Sequence, residues 1–220
     1  MIHIIPAAGP DFVSREKLVK LAVDFDGSSL IDKTLLNRAW RKPDDKYIFI
    51  FQDNNTTRAY FDELKLSFEN VESIFLSTLT NGAADTVLAG LSIANPDTVI
   101  CLDLADIIIK DNIERVDIIN ILDSHEALAL TFESQNDSYS YLKFNEDKFV
   151  EAREKQVISK DASAGVYFYR DKRMLLHAMS KILDNPEFMF GDMNYVCPIF
   201  NGCLTVAKKP VNEIFDVKDL

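Results

Sequence analysis

Ile2-His3-Ile4-Ile5-Pro6-Ala7-Ala8-Gly9 opens the chain, and a polar loop follows it as far as Lys20. A short apolar run of this kind reads as a buried parallel strand, because such strands are covered on both faces and do not alternate. It ends in Ala-Ala-Gly, where the small side chains let a ligand lie against bare backbone N–H and C=O groups. Residues 21–32 then read as a second extended piece, a turn and the start of a helix.

Outward from this stretch, strand and helix alternate through the first half. Lys46-Tyr47-Ile48-Phe49-Ile50-Phe51 is a core strand, and residues 56–68 carry Tyr60, Phe61, Leu64 and Phe68 at helical spacing. Residues 71–76 read as strand, residues 83–94 as an Ala/Leu-rich helix stopped by Asn95-Pro96, and residues 98–102 as a continuous apolar strand. Strands apolar on both faces need helices on both sides. The fold class is therefore α/β, a three-layer α/β/α sandwich with a mixed, mainly parallel central sheet.

The second half changes character. Residues 127–132, 139–144, 149–152 and 165–169 are strands with little helix between them, and Asn145-Glu146-Asp147 is a hairpin turn. Arg170-Asp171 leads into a helix through Leu183, with Met174, Leu175, Ala178, Ile182 and Leu183 on its apolar face. Repeats, low-complexity tracts and linkers are not visible, so residues 1–220 are expected to form a single domain.

The chain has 220 residues, 47% of them hydrophobic, enough for a full core. A net charge of −11 argues against a nucleic-acid partner, which needs a basic face. It leaves room for a phosphorylated ligand, since one basic loop and a divalent ion can hold phosphates on an acidic protein. Arg38, Arg41, Lys42 and Lys46 form the densest basic run besides the opening loop and read as a solvated helix end. The longest apolar candidate, residues 99–109, is cut by Asp103 and Asp106, short of the roughly 20 residues a membrane span needs. Neither a leader segment nor a membrane partner is expected. Cys101, Cys197 and Cys203 are odd in number and lack metal spacing, so they read as buried thiols in a reducing, cytoplasmic setting. His3, His125 and His177 are scattered, which makes a histidine zinc site an unattractive reading.

Several short motifs then fall in a telling order. Ala7-Ala8-Gly9 is followed by Lys20 and by Val23-Asp24-Phe25-Asp26-Gly27-Ser28-Ser29-Leu30-Ile31. Next come Asn81-Gly82-Ala83-Ala84-Asp85-Thr86, then Ala105-Asp106 after a strand, then Val150-Glu151-Ala152-Arg153-Glu154-Lys155. Ala162-Ser163-Ala164-Gly165-Val166-Tyr167 and the stretch from Asn194 to Asn201 close the series. This order resembles the sugar-phosphate nucleotidyltransferases, which join a nucleoside triphosphate to a sugar 1-phosphate and release pyrophosphate. The likeness covers nearly the whole chain, and the order carries it rather than any one motif.

The resemblance implies a nucleotide-binding half, residues 1–110, and an acceptor half, residues 111–220. It places the nucleotide on Ala7, Ala8, Gly9, Asn81, Gly82 and Ala83, and the triphosphate on Lys20. It implies Mg²⁺ as cofactor on Asp106, with Asp216 as second carboxylate and Asp103 as fallback. It puts Glu154 on acceptor hydroxyls, Lys155 on the acceptor phosphate and Gly165 beside the acceptor ring. The partners implied are a nucleoside triphosphate and a phosphorylated, sugar-like acceptor, with products that feed polysaccharide assembly.

The opening loop departs from the family's A-A-G-x-G-x-R pattern. Gly9 is followed by Pro10, Asp11, Phe12 and Val13, and Val19 stands where a proline usually precedes the lysine. Arg15 and Lys17 could supply the lost positive charge, while Asp11 would repel phosphate unless a metal lay between them. Plainer readings exist for each motif: residues 10–20 as an ordinary loop, Asn81 or Thr80 as a helix cap, the acids as solvated strand ends. Two rival functions follow. A GT-A glycosyltransferase would place its metal on Asp103 and Asp106 and release a nucleoside diphosphate. A non-catalytic relative would bind nucleotide or a partner protein without turnover.

Overall fold

The apolar run that opens the chain becomes β1 (Ile2–Ala7), the central strand of a nine-stranded sheet. The computed structural model describes residues 1–212 and 214–216. After the loop comes a small ribbon, β2 (Asp24–Phe25) and β3 (Ser28–Ser29). Asp26 and Gly27 join its strands at φ 52° and 76°, the positive values that a two-residue hairpin turn requires. β4 (Lys46–Gln52), α1 (Asn55–Ser67), β5 (Val71–Leu76), α2 (Ala83–Leu91) and β6 (Ile100–Asp103) follow in the expected alternation. β7 (Ile107–Ile109) and α3 (Arg115–Leu122) lead to β8 (Ala127–Glu133), β9 (Tyr141–Asn145), β10 (Lys148–Arg153) and β11 (Asp161–Tyr169). α4 (Lys172–Ile182), β12 (Val206–Pro210) and β13 (Ile214–Asp216) complete the described chain.

β5, β4, β1 and β6 run parallel in that order. β11 then pairs antiparallel with β6 through Val166 to Tyr169, so one sheet runs through both halves. The other edge of β11 pairs with β8, and β12 lies parallel beside β8. The β9–β10 hairpin joins the start of β11 at Ala162 and Tyr141. Both faces are covered. Ile4, Ile48 and Ile50 pack with Val87 of α2 and Leu175 of α4. Their neighbours Ile5, Phe49 and Phe51 face the other way and pack with Tyr60 and Leu64 of α1. The period of two along the strands thus fills two cores. The mixed sheet between helical layers is the α/β class expected.

Three elements were not foreseen. α3 hides its period because Val116, Ile118, Ile119, Ile121 and Leu122 are apolar almost all round, although only Ile118 and Leu122 are buried. β7 continues the chain past a turn that reads as a strand end. β12 carries Lys208, Lys209 and Pro210, a poor strand sequence accepted because its partner β8 is buried from Ala127 to Phe132. The stretch that follows Asn194 forms a short 3-10 turn, Cys197–Gly202. A Cβ at Gly202 would lie 2.3 Å from the Ala178 carbonyl oxygen, so this turn packs directly on the backbone of α4.

The basic run is also corrected. Arg38 is 4% exposed, and the Arg41 guanidinium lies over the rings of Tyr47 and Phe68. Cys101 and Cys197 are buried and Cys203 is partly so; burial pushes the Cys203 thiol up to about 12.

Asp45 ties α3 to the central strands. It accepts from Arg115, whose Nε also donates to the Trp40 carbonyl at 2.9 Å. His3 Nε2 lies 3.3 Å from Asp45, with its ring stacked on Tyr47 at 4.4 Å. Burial would raise the Asp45 carboxyl, but hydrogen bonds from His3, Arg115 and the Lys42 N–H hold it well below the usual range. Burial holds the His3 pKa below its ordinary value, against the pull of Asp45. A histidine depressed in the folded state contributes stability above its unfolded pKa of about 6.5 and loses it as pH falls further. We expect the urea midpoint to fall as pH drops from about 7.5 to about 5.5, with a flatter dependence in His3→Gln. Equal slopes in the two proteins would contradict this.

Candidate functional site

The carboxyl ends of the parallel strands in an open α/β sheet leave a crevice for ligands. Here β1, β6 and the start of α2 border such a cleft, with a volume of about 420 Å³. Ala7, Gly9, Lys20 and Ala83 line one wall. Asp106 lies at the floor, and Glu154, Lys155 and Gly165 come from the second half. The residues singled out in both halves therefore converge, although they are distant in sequence.

Five of the described candidates do not line the cleft. Ala8 is buried in the core behind β1, Arg15 is exposed on the loop, and Asp103 is fully buried. Asn81 and Gly82 flank the cleft at the start of α2. Asp216 ends β13, where its backbone pairs with Ile107, one residue from Asp106. The Asp216 side chain, with Glu213 and residues 217–220, lies outside the described residues.

The loop is folded back on itself. Phe12 N–H donates to the Gly9 carbonyl at 3.1 Å, closing a turn with Pro10 at its second position, which proline's fixed φ favours. Val13 bridges Val19, and Lys20 N–H donates to the Phe12 carbonyl at 2.9 Å. Phe12 is anchored against Phe51, ring centres 5.6 Å apart. The turn and this aromatic anchor stand where the family carries a second glycine, and they deliver Lys20 to the cleft. There its ammonium pairs with the Asp106 carboxylate, both side chains about one third exposed, at 37% and 33%.

Asp106 owes its place to the turn between β6 and β7. Arg38 forks onto Asp103, Nε to Oδ2 at 2.8 Å and Nη2 to Oδ1 at 3.0 Å. Asp103 Oδ1 also accepts from the Ala105 N–H at 2.9 Å. Ala105 takes φ 56°, a left-handed conformation unusual for alanine. Both Asp103 oxygens are thus occupied away from the cleft, which removes it as the fallback metal ligand. No periodic cue points to Arg38. The cue was chemical: an acid inside the run Ile100-Cys101-Leu102-Asp103 demands a buried cation.

The wall contributed by the second half is shaped by a bulge in β11. Its register against β8 shifts between Ser163 and Tyr167, and Gly165 sits there at φ +69°. The Gly165 carbonyl accepts from Leu104 N–H at 3.0 Å, joining this wall to the β6–β7 turn. Glu154, at the end of β10, accepts from the Ser140 hydroxyl. Lys155 Nζ lies 5.4 Å from the ring centres of both Phe190 and Tyr195, held by cation–π attraction.

At the nucleotide-side wall Gly82 is the N-cap of α2, and neither Asn81 nor Thr80 caps it. Asn194 fills that role through its backbone, accepting from Ala84 N–H at 3.1 Å and donating to the Asn81 carbonyl at 2.8 Å. Asn194 Nδ2 reaches Asp85 at 3.3 and 3.4 Å. A residue from the closing segment therefore fastens the start of α2.

Among the described residues no helix is long and apolar enough to cross a membrane, and no three His, Cys, Asp or Glu side chains group to hold a metal by themselves.

No protein-family model matches this chain, and no curated protein matches it by sequence. Solved structures do match by fold. A nucleoside-diphosphate-sugar pyrophosphorylase from Vibrio cholerae superposes with a TM-score of 0.82 at 21% identity, covering 99% of this chain and 95% of that one. A candidate glucose-1-phosphate thymidylyltransferase from Bacillus anthracis, crystallised with sucrose, gives 0.71 at 16% identity, covering 98% and 89%. The inositol-1-phosphate CTP transferase from T. maritima gives 0.69 at 11% identity, covering 97% and 86%. At these identities the likeness establishes the fold: the chain is built as those sugar-phosphate nucleotidyltransferases are.

A Cβ at Gly82, which sits at φ +123°, would lie 2.2 Å from the Asn194 carbonyl oxygen. Backbone cannot yield as a side-chain tip can. We expect Gly82→Ala to lower the unfolding free energy by about 1–3 kcal/mol in urea titration. A parent-like midpoint would show that this contact is not made.

Proposed function

We propose that the cleft transfers a nucleotidyl group from a nucleoside triphosphate to a sugar 1-phosphate or similar phosphorylated acceptor. One observation carries the reading. The loop lysine, Lys20, and the carboxylate after β6, Asp106, meet in one cleft that Glu154 and Lys155 of the second half also line. A cation and a hard oxygen donor on one side, and a second cation on the other, suit two phosphorylated substrates brought end to end. The shared fold of three proteins named for this chemistry supports it further.

In this reading the acceptor phosphate oxygen attacks the α-phosphorus. The new P–O bond forms as the bond to the β-phosphate breaks, and pyrophosphate leaves. No covalent enzyme intermediate is needed, so the protein works by position and charge. Lys20 offsets negative charge at the reacting phosphates, and Lys155 holds the acceptor phosphate. Glu154 accepts from acceptor hydroxyls, while Gly165 leaves room for the acceptor ring. The small residues Ala7, Gly9 and Ala83 let the nucleotide lie close to the backbone.

Mg²⁺ is the proposed cofactor. The donor set fits it: Asp106 offers a hard oxygen in the cleft, and magnesium takes one or two carboxylates and completes its octahedron with water and phosphate oxygens. When bound, the ion would neutralise charge on the triphosphate. Asp216 remains the proposed second carboxylate. A cytoplasmic setting suits the free thiols.

The test is thermal unfolding with each nucleoside triphosphate and Mg²⁺, since a ligand of the native state stabilises it by about 2.7 kcal/mol at a hundredfold excess over Kd. We expect at least one triphosphate to raise Tm, and Lys20→Ala to weaken that shift and to slow pyrophosphate release about 10²-fold. No shift with any triphosphate, or a Lys20→Ala protein indistinguishable from the parent, would overturn the assignment.

A further inference from the structure

We infer that Arg38 is a positioning residue for Asp106, acting entirely through the β6–β7 turn; the inference rests on the reading of Asp106 given above. Arg38 does not line the cleft, and its side chain is 2% exposed. It nevertheless governs the peptide groups on both sides of Asp106. On one side its fork holds Asp103, whose Oδ1 accepts from Ala105 N–H and so maintains the left-handed Ala105. On the other side Arg38 Nη2 donates directly to the Ile107 carbonyl at 3.1 Å. Asp106 is the single residue between Ala105 and Ile107, the two residues so held. Its carboxylate can meet Lys20 only while both are held.

The geometry requires arginine. One planar guanidinium spans both carboxylate oxygens and a backbone carbonyl, which a lysine ammonium on a flexible stem cannot do at once. The Trp40 ring, 5.5 Å from the Arg38 guanidinium carbon, fixes the plane from one side. Without Arg38 the fully buried Asp103 carboxylate is uncompensated and must turn toward other donors or draw in water. Either change alters its hold on Ala105. The disturbance then reaches the cleft as a displacement of Asp106, with no contact to ligand lost.

The test uses Arg38→Gln and Arg38→Lys, with Ile118→Val as a control in the same core cluster. Two readouts are taken on folded protein: the rate at which acetic anhydride labels Lys20, read by mass spectrometry, and Mn²⁺ affinity with inorganic tripolyphosphate, read by electron paramagnetic resonance. Labelling needs neither metal nor nucleotide. Both Arg38 variants are expected to label faster at Lys20 and to bind Mn²⁺ about 10- to 100-fold more weakly, as for residues that orient a metal ligand. Ile118→Val is expected to change neither readout. Arg38→Lys keeps the charge and decides the matter if Arg38→Gln does not fold. If Arg38→Lys matches the parent in labelling and in Mn²⁺ affinity, or if Ile118→Val shifts both equally, the inference is overturned. A parent that binds no Mn²⁺ while labelling still separates the variants would sustain the positioning role and overturn the metal reading instead.

Discussion

A carboxylate buried at the end of a central strand must be neutralised where it stands, and much of this molecule is arranged around that requirement. Asp103 is fully buried, and Arg38 reaches it from outside the sheet's strands with a two-bond fork. Such a pair is a poor source of net stability, because desolvation consumes most of the attraction. Removing one partner is another matter, costing about 3–5 kcal/mol in buried pairs. What the pair fixes is shape. It sets the direction in which the chain leaves β6, the unusual backbone of Ala105, and the entry of Asp106 into the cleft.

The second organising contact is the pairing of β11 with β6. It places the acceptor-side wall against the parallel half without a linker, so the cleft lies along a seam inside one sheet. The bulge at Gly165 and the bond from Leu104 N–H to its carbonyl make that seam continuous with the turn that carries Asp106. Asn194 does the same service at the other wall by binding the start of α2. Rigid elements thus frame the cleft, and charged side chains from each half line it. Such a division suits a reaction in which the protein contributes position and charge rather than a covalent nucleophile.

The architecture was legible wherever hydrophobic period and burial agreed. β1, β4 and β6 are apolar on both faces, β5 closes on the apolar run Ile74-Phe75-Leu76, and α1, α2 and α4 show one apolar stripe or an Ala/Leu-rich run. α3 was lost because apolar residues surround it, and β12 because its lysines and proline read as loop. Arg38 was lost for a different reason: a basic run is solvated far more often than it is buried, and only the acid inside β6 betrayed the exception. The convergence of Ala7, Lys20, Asp106, Glu154 and Gly165 was legible from motif order. The proline turn and aromatic anchor of the opening loop were not, because that anchor is the contact of Phe12 with Phe51 across the fold.

The account stands on one chemical claim, that the cleft joins two phosphates and expels pyrophosphate. Phosphorus-31 NMR of the purified protein with Mg²⁺, nucleoside triphosphates and a panel of sugar 1-phosphates reads this directly. The account predicts consumption of one triphosphate, appearance of free pyrophosphate, and an equal quantity of a new diphosphate diester in which the acceptor phosphorus is bonded to the nucleotide. Spectra that stay unchanged across the panel, or that show nucleoside diphosphate released from a supplied nucleotide sugar with no pyrophosphate from any triphosphate, would contradict it.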